Sequence, residues 1–489
     1  MKKYKIIFYV FTMLSLVSCE DILDQQPYGV ISEDLYYQTE GDAISAVTAT
    51  YSRLQRILFT NEWKGLDYIP DIMSPDAESH PGFAGLKQTH EYTNTPENPE
   101  VASLWVNLYN GVYLANQGIE RINEMPEDVF SDGMKSRLLG ECYFLRAWYN
   151  LRITQLWGDA PLVVQTLSLD NFYIPSSPQS EFFIQIKNDL LEAEDRLPLV
   201  SEYDSNNVGR ATKGAAQSYL GYLYLLMDNP GDAVIILKRV VDSNKYALVD
   251  NYESLFNGTN ENSSESVFEI QFASNTGDNV GSFTPQGYGA GGEFGWGFTR
   301  PTADLVSEFE ITPKEDPRRA ASILNVGEVY EGKVFKGIES PHGNRKWITG
   351  LGREAAYPWY SPVNQSLMRY ADVLLLYAEA LNKTSASSDA VGYINKVRAR
   401  ASVSMPALDL GLSPEKVLEA IIHERRVELC LEGKSGFDLR RLLSQSELVN
   451  YFHNKGYTNF SYPRDLFLPI PQSEIDKSDG SLEQNPSWK

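Results

Sequence analysis

Apolar residues recur at helical spacing along most of this 489-residue chain, and this pattern restricts the possible folds more than any other feature. Side chains three and four positions apart share one face of a helix, so each such segment can bury that face against a neighbour. The spacing predicts helices at 40–59, 99–123, 132–157, 180–196, 212–228, 231–244, 302–309, 364–382, 388–401, 413–432 and 436–443. Alternation typical of a strand is clear only at 266–272 and is weaker at 333–336 and 346–348. The predicted fold is therefore mostly α with a few short strands.

Two pairs of predicted helices have the spacing of tetratricopeptide-like hairpins. In the first pair, Gly221 and Ala233 are small residues that let two helices approach closely, with Tyr224 between them. Ala378 and Ala390 play the same part in the second pair. Any antiparallel helical hairpin would also fit this pattern, so the pairs alone leave the repeat type open.

Two long segments follow neither the helical nor the strand period. They span 61–99 and about 274–361. Irregular stretches of this length in a compact protein are usually functional or disordered, and their aromatic content argues against disorder. We therefore predict that they face a ligand.

Charge and cysteine content exclude several classes of function. A net charge of −22 and a pI near 4.7 argue against nucleic-acid binding, which needs a basic face. Three cysteines cannot form a disulfide framework, and we expect Cys142 and Cys430 to be buried free thiols, with a disulfide between them as the alternative. The 58 aromatic side chains, 29 of them Tyr, 21 Phe and 8 Trp, remain to be explained. We assign Trp105, Trp148 and Trp157 to helix packing because of their spacing.

The first residues are typical of a bacterial lipoprotein signal. Three lysines precede a 12-residue apolar run that is too short to span a bilayer, and the segment ends Leu16-Val17-Ser18-Cys19. We predict a signal peptide at 1–18 and lipidation of Cys19. Removal of the signal takes away three lysines and no acidic residue, which changes the net charge from −22 to −25.

No motif for catalysis, nucleotide binding or metal binding is complete in the sequence. Gly287, Gly289 and Gly292 match the dinucleotide spacing but lack the strand and helix that the motif requires. His423-Glu424 begins like a zinc-protease helix, but Val427 occupies the position of the second histidine. We expect no cofactor and no metal. A two-carboxylate glycoside hydrolase stays open, because an acidic chain always contains such pairs.

Several stretches in the last 130 residues form a recognisable series. They are RYADVLLLYAEALN (369–382), INKVRARA (394–401), IHERRVEL (422–429), GFDLR (436–440), LPIPQ (468–472) and QNP (484–486). Upstream, FLRAWY (144–149), GDAP (158–161) and RATKGAA (210–216) extend the series. In this order they resemble the SusD/RagB family of Bacteroidetes outer-membrane lipoproteins.

The resemblance implies a fold with tetratricopeptide-like helical hairpins on one side and long irregular segments on the ligand face. It implies one body with a helical N-terminal part at 19–265 and a C-terminal part at 266–489. It also implies a glycan-binding protein without catalysis, lipid-anchored to the outer membrane on the cell exterior, with a SusC-like TonB-dependent transporter as partner. Most motif residues should then be structural. The alternatives are a different nutrient such as a peptide, a glycoside hydrolase, or a transporter lid without ligand affinity.

Aromatic side chains outside the periodic helices are the best candidates for ligand contact, because rings stack on the apolar faces of sugars. Trp296 is the foremost candidate, since glycines surround it in GEFGWGF and could leave one face of its ring open. The other candidate rings are Tyr288, Trp63, Phe83, Trp347, Trp359 and Tyr360. Asp67, Asn344 and Arg345 are the candidate polar partners, chosen by proximity in sequence.

Overall fold

The structure of the protein is a computed structural model that describes residues 36–58, 68–168, 170–273, 281–337, 339–348 and 361–489. Helices dominate it, as predicted. The helices are α1 Glu40–Leu58, α2 Tyr68–Ile72, α3 Ala84–His90, α4 Pro99–Glu124, α5 Met134–Trp157, α6 Gln179–Arg196, α7 Lys213–Leu226, α8 Pro230–Asp242, α9 Thr284–Tyr288, α10 Ala303–Glu308, α11 Pro317–Ser322, α12 Tyr370–Lys383, α13 Ser387–Arg398, α14 Pro414–Glu428, α15 Ser435–Leu442, α16 Gln445–Asn454 and α17 Gln472–Lys477. The predicted signal segment and Cys19 lie outside the described residues.

The strands are short and join in antiparallel pairs within the described part of the chain. They are β1 Ala77–Ser79, β2 Ala160–Pro161, β3 Ser176–Ser177, β4 Ser266–Ile270, β5 Thr299–Pro301, β6 Ile323–Asn325, β7 Val329–Tyr330, β8 Lys333–Val334, β9 His342–Asn344 and β10 Gln365–Arg369. The pairs are β1–β5, β2–β3, β4–β10, β6–β9 and β7–β8. Two of these pairs, β1–β5 and β4–β10, join parts of the chain that are about a hundred or more residues apart, whereas the other three are local.

The two predicted hairpins are present as α7–α8 and α12–α13, and α8 packs against α12 so that the pairs stack. A Cβ atom on Gly221 would lie 2.4 Å from Leu237 Cδ2, which shows how closely α7 and α8 approach. Ala233, Ala378 and Ala390 are fully buried at the contacts. Tyr224 is only partly buried against the core, because it sits at the edge of the hairpin rather than inside it.

The helix starts follow the capping signals in the sequence. The Asn229 side chain accepts from the backbone N–H of Asp232 at the start of α8, with proline at the first helical position. The Ser413 side chain accepts from the N–H of Lys416 at the start of α14 in the same way. Cys142 is a buried free thiol, as predicted. The three tryptophans that were assigned to packing, Trp105, Trp148 and Trp157, are all buried.

The charged motif residues of the C-terminal part lie in a buried network of ion pairs. Arg425 Nη1 lies 2.8 Å from Asp372 Oδ1, and Lys434 Nζ lies 3.0 Å from Asp372 Oδ2. Burial would raise the pKa of Asp372, but the charges of Lys434 and Arg425 outweigh it and hold that pKa well below its usual range. These residues connect helices to one another, so their role is structural.

One branch of this network reaches the start of β1. Arg426 on α14 pairs with Asp76, the residue directly before β1. The backbone N–H of Gly433 donates to Asp71 Oδ1 at 2.9 Å. The helix α14 therefore holds the start of β1 in place.

Several predicted element bounds are wrong. The helix predicted at 364–382 begins at Tyr370, because residues 365–369 pair with β4 as a strand and long-range pairing overrides helical spacing. The strand predicted at 346–348 is not present, and the strand in this region is β9 at 342–344. Six helices were missed: α2, α3, α9 and α11 are short and lie inside the irregular segments, and α16 and α17 follow the last predicted helix.

Among the described residues, no helix is long and apolar enough to cross a bilayer.

Candidate functional site

The candidate site is an aromatic cluster formed where β1 pairs with β5. The register places Glu78 opposite Arg300 and Ser79 opposite Thr299. The backbone N–H of His80 donates to the carbonyl of Phe298 at 3.0 Å, which extends the pairing by one residue. Side chains that follow β1 therefore meet side chains that precede β5.

The rings in the cluster contact one another mainly edge to face. Phe83 and Phe298 have centroids 4.5 Å apart at an interplanar angle of 73°. Trp296 lies 5.4 Å from Phe298 and 5.0 Å from Phe283. Phe283 and Phe298 are buried, whereas Phe83 and Trp296 are partly exposed. Such pairs contribute about 0.5–1.5 kcal/mol each beyond area burial, so the exposed rings rest on a fixed base.

The glycines around Trp296 shape the backbone. The N–H of Trp296 donates to the carbonyl of Gln286 at 2.7 Å, and the N–H of Phe298 donates to the carbonyl of Gly287 at 2.9 Å. A Cβ atom on Gly289 would lie 1.9 Å from the Phe294 carbonyl oxygen, and Gly295 has φ +130°. The glycines thus allow the segment to fold back on itself. We expected the glycines to leave one face of the Trp296 ring open. In the structure, Phe283 and Phe298 contact the indole and cover part of it.

Polar side chains form a rim beside the rings. His80 Nε2 lies 4.0 Å from Glu339 Oε2, and Arg300 lies 3.9 Å from Glu339 and 3.6 Å from Glu78. The N–H of Gly82 donates to His80 Nδ1 at 3.0 Å, which leaves the proton on Nε2. Burial lowers the pKa of His80, with Glu339 raising it and Arg300 lowering it to a smaller extent. The rim therefore offers a neutral imidazole, two carboxylates and one guanidinium that is paired with them.

The predicted site residues divide into three groups. Phe83 and Trp296 lie together in the cluster. Tyr288 and Trp347 are buried beneath it at 2% and 3% exposure, so they support the cluster and present no open face for stacking. Trp63, Asp67, Trp359 and Tyr360 lie outside the described residues.

The two remaining polar candidates are held within the protein. Arg345 donates to Glu253 Oε1 at 2.7 Å, and its guanidinium lies 4.9 Å from the Tyr330 ring centroid. Asn344 is fully buried at the end of β9, and its amide has no hydrogen-bond partner among the described residues. Proximity in sequence to Trp347 was therefore a poor guide to the polar groups beside the cluster.

His80, Phe283, Phe298, Glu78, Arg300 and Glu339 belong to the site but were not predicted. The pairing of β1 with β5 brings most of them together, and three-residue strands give no reliable sequence signal. Within the described part of the chain, no group of three or more His, Cys, Asp or Glu side chains could hold a metal ion.

Comparison with known proteins gives consistent matches over most of the chain. Residues 264–488 match the SusD family model, and residues 68–225 match a SusD-like model described as starch-binding associating with outer membrane. A SusD-like protein P2 of Formosa agariphila is 28% identical, and the alignment covers 100% of both chains. A SusD-like protein of Bacteroides ovatus is 27% identical over 99% of this chain and 92% of its own.

Solved structures share the fold. A SusD superfamily protein from Bacteroides vulgatus has a TM-score of 0.79 at 25% identity, covering 93% of this chain and 100% of its own. A laminarin-binding SusD-like protein has a TM-score of 0.79 at 25% identity, covering 92% of this chain and 100% of its own. Surface glycan-binding protein A from Bacteroides thetaiotaomicron, solved with laminarihexaose, has a TM-score of 0.78 at 23% identity, covering 92% and 100%, and shows likeness of fold alone.

Proposed function

Because the chain belongs to the SusD/RagB family, we propose that it binds a neutral oligosaccharide or polysaccharide on the Phe83–Trp296 cluster. The observation that carries the proposal is the pair of partly exposed rings held on a buried aromatic base beside a polar rim. The apolar faces of sugar rings would stack on the aromatic side chains, and their hydroxyls would reach His80 and Glu339.

The charge balance of the rim favours a neutral ligand. Arg300 lies between Glu78 and Glu339, so the rim has no uncompensated cation to attract an acidic sugar. The acidic net charge of the chain also disfavours an anionic polymer. The laminarin-binding relative at 25% identity supports a glycan as ligand.

We further propose that the protein is anchored through Cys19 to the outer membrane, faces the cell exterior, and delivers its ligand to a SusC-type TonB-dependent transporter without catalysis. The family description as associating with the outer membrane supports this location. The lipoprotein signal supports the anchor, since more than one acyl chain on a cysteine gives stable attachment.

Affinity electrophoresis tests the binding proposal. The wild-type protein is run in native gels that contain laminarin, xyloglucan, arabinoxylan, galactomannan or alginate. We expect at least one neutral polysaccharide to retard it and Trp296→Ala to abolish most of that retardation. Trp488→Ala is the matched control, because Trp488 is also a partly exposed tryptophan but lies on the C-terminal segment, where it donates to the Phe467 carbonyl.

The outcomes separate the alternatives. Retardation that survives Trp296→Ala would place the ligand elsewhere. Retardation by alginate alone would contradict a neutral ligand. Release of reducing sugar by the purified protein would contradict the absence of catalysis, and binding of peptides but no saccharide would select a different nutrient.

A further inference from the structure

A second aromatic cleft lies away from the Phe83–Trp296 cluster, between α4, the loop that joins β2 to β3, and the C-terminal segment 474–482. Its volume is about 440 Å³. Its lining includes Trp105, Tyr109, Asn110, Phe172, Tyr173 and Lys477. We call it the second cleft.

The base of the second cleft is rigid. Trp105 is 5% exposed and packs edge to face on Trp157, with centroids 5.0 Å apart. The Trp157 indole N–H donates to the Pro469 carbonyl at 3.1 Å. Tyr109 lies 4.7 Å from Trp105, and its hydroxyl donates to the Pro161 carbonyl at 2.8 Å. Both rings are therefore fixed before any ligand arrives, which lowers the entropic cost of binding.

The wall of the second cleft is aromatic and open to solvent. Phe172 and Tyr173 are 45% and 46% exposed, and their ring centroids lie 4.0 Å apart at 39°. Val106 on α4 is 43% exposed at the same cleft. Contiguous exposed apolar side chains that line a concavity are typical of a binding site.

The polar lining of the second cleft carries no net charge. Lys477 Nζ lies 2.7 Å from Glu474 Oε1, so the two charges compensate each other. Asn110 is exposed on α4 and offers an amide. The Ser478 and Ser481 hydroxyls donate to carbonyls within their own turn. This combination of ring faces, an amide and compensated charge suits a neutral polyhydroxylated molecule better than an ion.

We propose that the second cleft is an additional saccharide-binding site that contacts another stretch of the same glycan chain. This inference rests on the proposed function. The chain that follows Phe83 runs through α3 into α4, which lines the second cleft, and the N–H of Gln472 at the start of α17 donates to the carbonyl of Pro96 on this stretch at 2.9 Å. Two sites on one rigid body raise the apparent affinity for a polymer above that for a short oligosaccharide.

The test uses the full-length protein and the same gels. The variants are the Phe172→Ala/Tyr173→Ala double substitution, Asn110→Trp, which fills the second cleft without removing packing, and Trp296→Ala. Ile235→Ala is the control, because Ile235 is 56% exposed on α8, which contributes no side chain to the second cleft. Equal thermal midpoints for the variants and the wild type establish that each one folds.

We expect the double variant and Asn110→Trp to weaken retardation by the best-retained polysaccharide roughly tenfold or more, because avidity is lost. Ile235→Ala should leave it unchanged. If both second-cleft variants were retarded as strongly as the wild type, the inference would be overturned and the proposed function would stand. Absence of retardation of the wild-type protein by every polysaccharide would overturn both. Loss of transporter co-purification with retardation unchanged would identify the second cleft as a protein contact and also overturn the inference.

Discussion

The Phe83 ring meets the Phe298 ring edge to face with 4.5 Å between centroids, and this contact joins two distant segments of the chain at one surface. The β1–β5 pair fixes the two rings relative to each other. Trp296 extends the same surface by contacting Phe298. The proposed ligand surface is therefore built on paired strands and buried rings, although it lies within segments that are irregular in sequence.

Replacing Phe83 by leucine should weaken glycan binding and leave the fold intact. Leucine keeps the apolar contact with the core but removes the ring, which is worth about 0.5–1.5 kcal/mol of stacking, or roughly two- to tenfold in affinity. Isothermal titration with an oligosaccharide cut from the best-retained polysaccharide measures the change. Phe130→Leu is the matched control, because Phe130 is another partly exposed phenylalanine and packs in a separate cluster beside α1 and α5. Equal affinity in Phe83→Leu and the wild type would remove Phe83 from the site.

Removing the Arg425 side chain should strongly destabilise the protein. Asp372, which is 2% exposed in the folded protein, would lose one of its two cationic partners. Breaking a buried ion pair in this way costs about 3–5 kcal/mol. Urea unfolding of Arg425→Ala measures the cost. Lys416→Ala is the control, since the Lys416–Glu419 pair is exposed and should contribute at most about 1 kcal/mol. Similar losses in the two variants would contradict the structural role of the network.

A methyl group at Gly221 should destabilise the α7–α8 hairpin, whereas one at Gly392 should not. The Cβ atom on Gly221 would lie 2.4 Å from Leu237 Cδ2, so the hairpin must shift, at a cost of about 1–3 kcal/mol. Gly392 lies within α13 with nothing inside 4 Å of the added atom. Alanine there should stabilise the helix by about 0.5–1 kcal/mol. Thermal unfolding compares the variants, and equal stability of Gly221→Ala and the wild type would contradict close packing of the hairpin.

His423 should make the stability depend on pH near neutrality. Its Nδ1 lies 2.8 Å from Glu308 and its Nε2 lies 3.2 Å from Glu310, so both nitrogens donate when the ring is protonated. Burial lowers the pKa of His423, but the hydrogen bond to Glu308 and the charges of Glu424, Glu308 and Glu310 outweigh it and raise that pKa above its usual value. Arg398 and Arg426 complete the surroundings by pairing with Glu310 and Glu308.

The native state therefore binds the His423 proton more tightly than the unfolded state does. The resulting stabilisation is fully present below the unfolded pKa of about 6.5 and is lost as pH rises through the higher folded pKa. The difference in free energy of unfolding between the wild type and His423→Gln should accordingly shrink between about pH 6 and pH 8. Urea unfolding at several pH values measures it, and a difference that grows with pH would show that the sign is wrong.

Sequence periodicity and capping signals predicted the helical scaffold well. The bounds of α4 and α5 lie within two residues of the prediction, because both helices carry long apolar faces and clear start or stop residues. The β10 strand was missed, since its partner β4 lies about a hundred residues away and only tertiary pairing distinguishes it from the start of α12. The role of the charged motif residues as a structural network was also predicted correctly.

The site was less accessible to sequence reasoning. Ligand contact by aromatic side chains in the irregular segments stays a prediction, and the sequence could not separate partly exposed Trp296 from buried Trp347. Trp347 donates to the Leu431 carbonyl at 2.7 Å, a contact that depends on the packing of the whole C-terminal part. His80 and Arg300 join the site only through the β1–β5 register.

Glycan binding on the Phe83–Trp296 cluster can be seen directly in a crystal structure of the protein with an oligosaccharide from the best-retained polysaccharide. We predict electron density for at least one sugar ring stacked on Trp296 or Phe83, with hydroxyls within hydrogen-bond distance of His80 or Glu339. An oligosaccharide bound only at a surface that excludes these residues would contradict the claim, as would an empty cluster at saturating oligosaccharide.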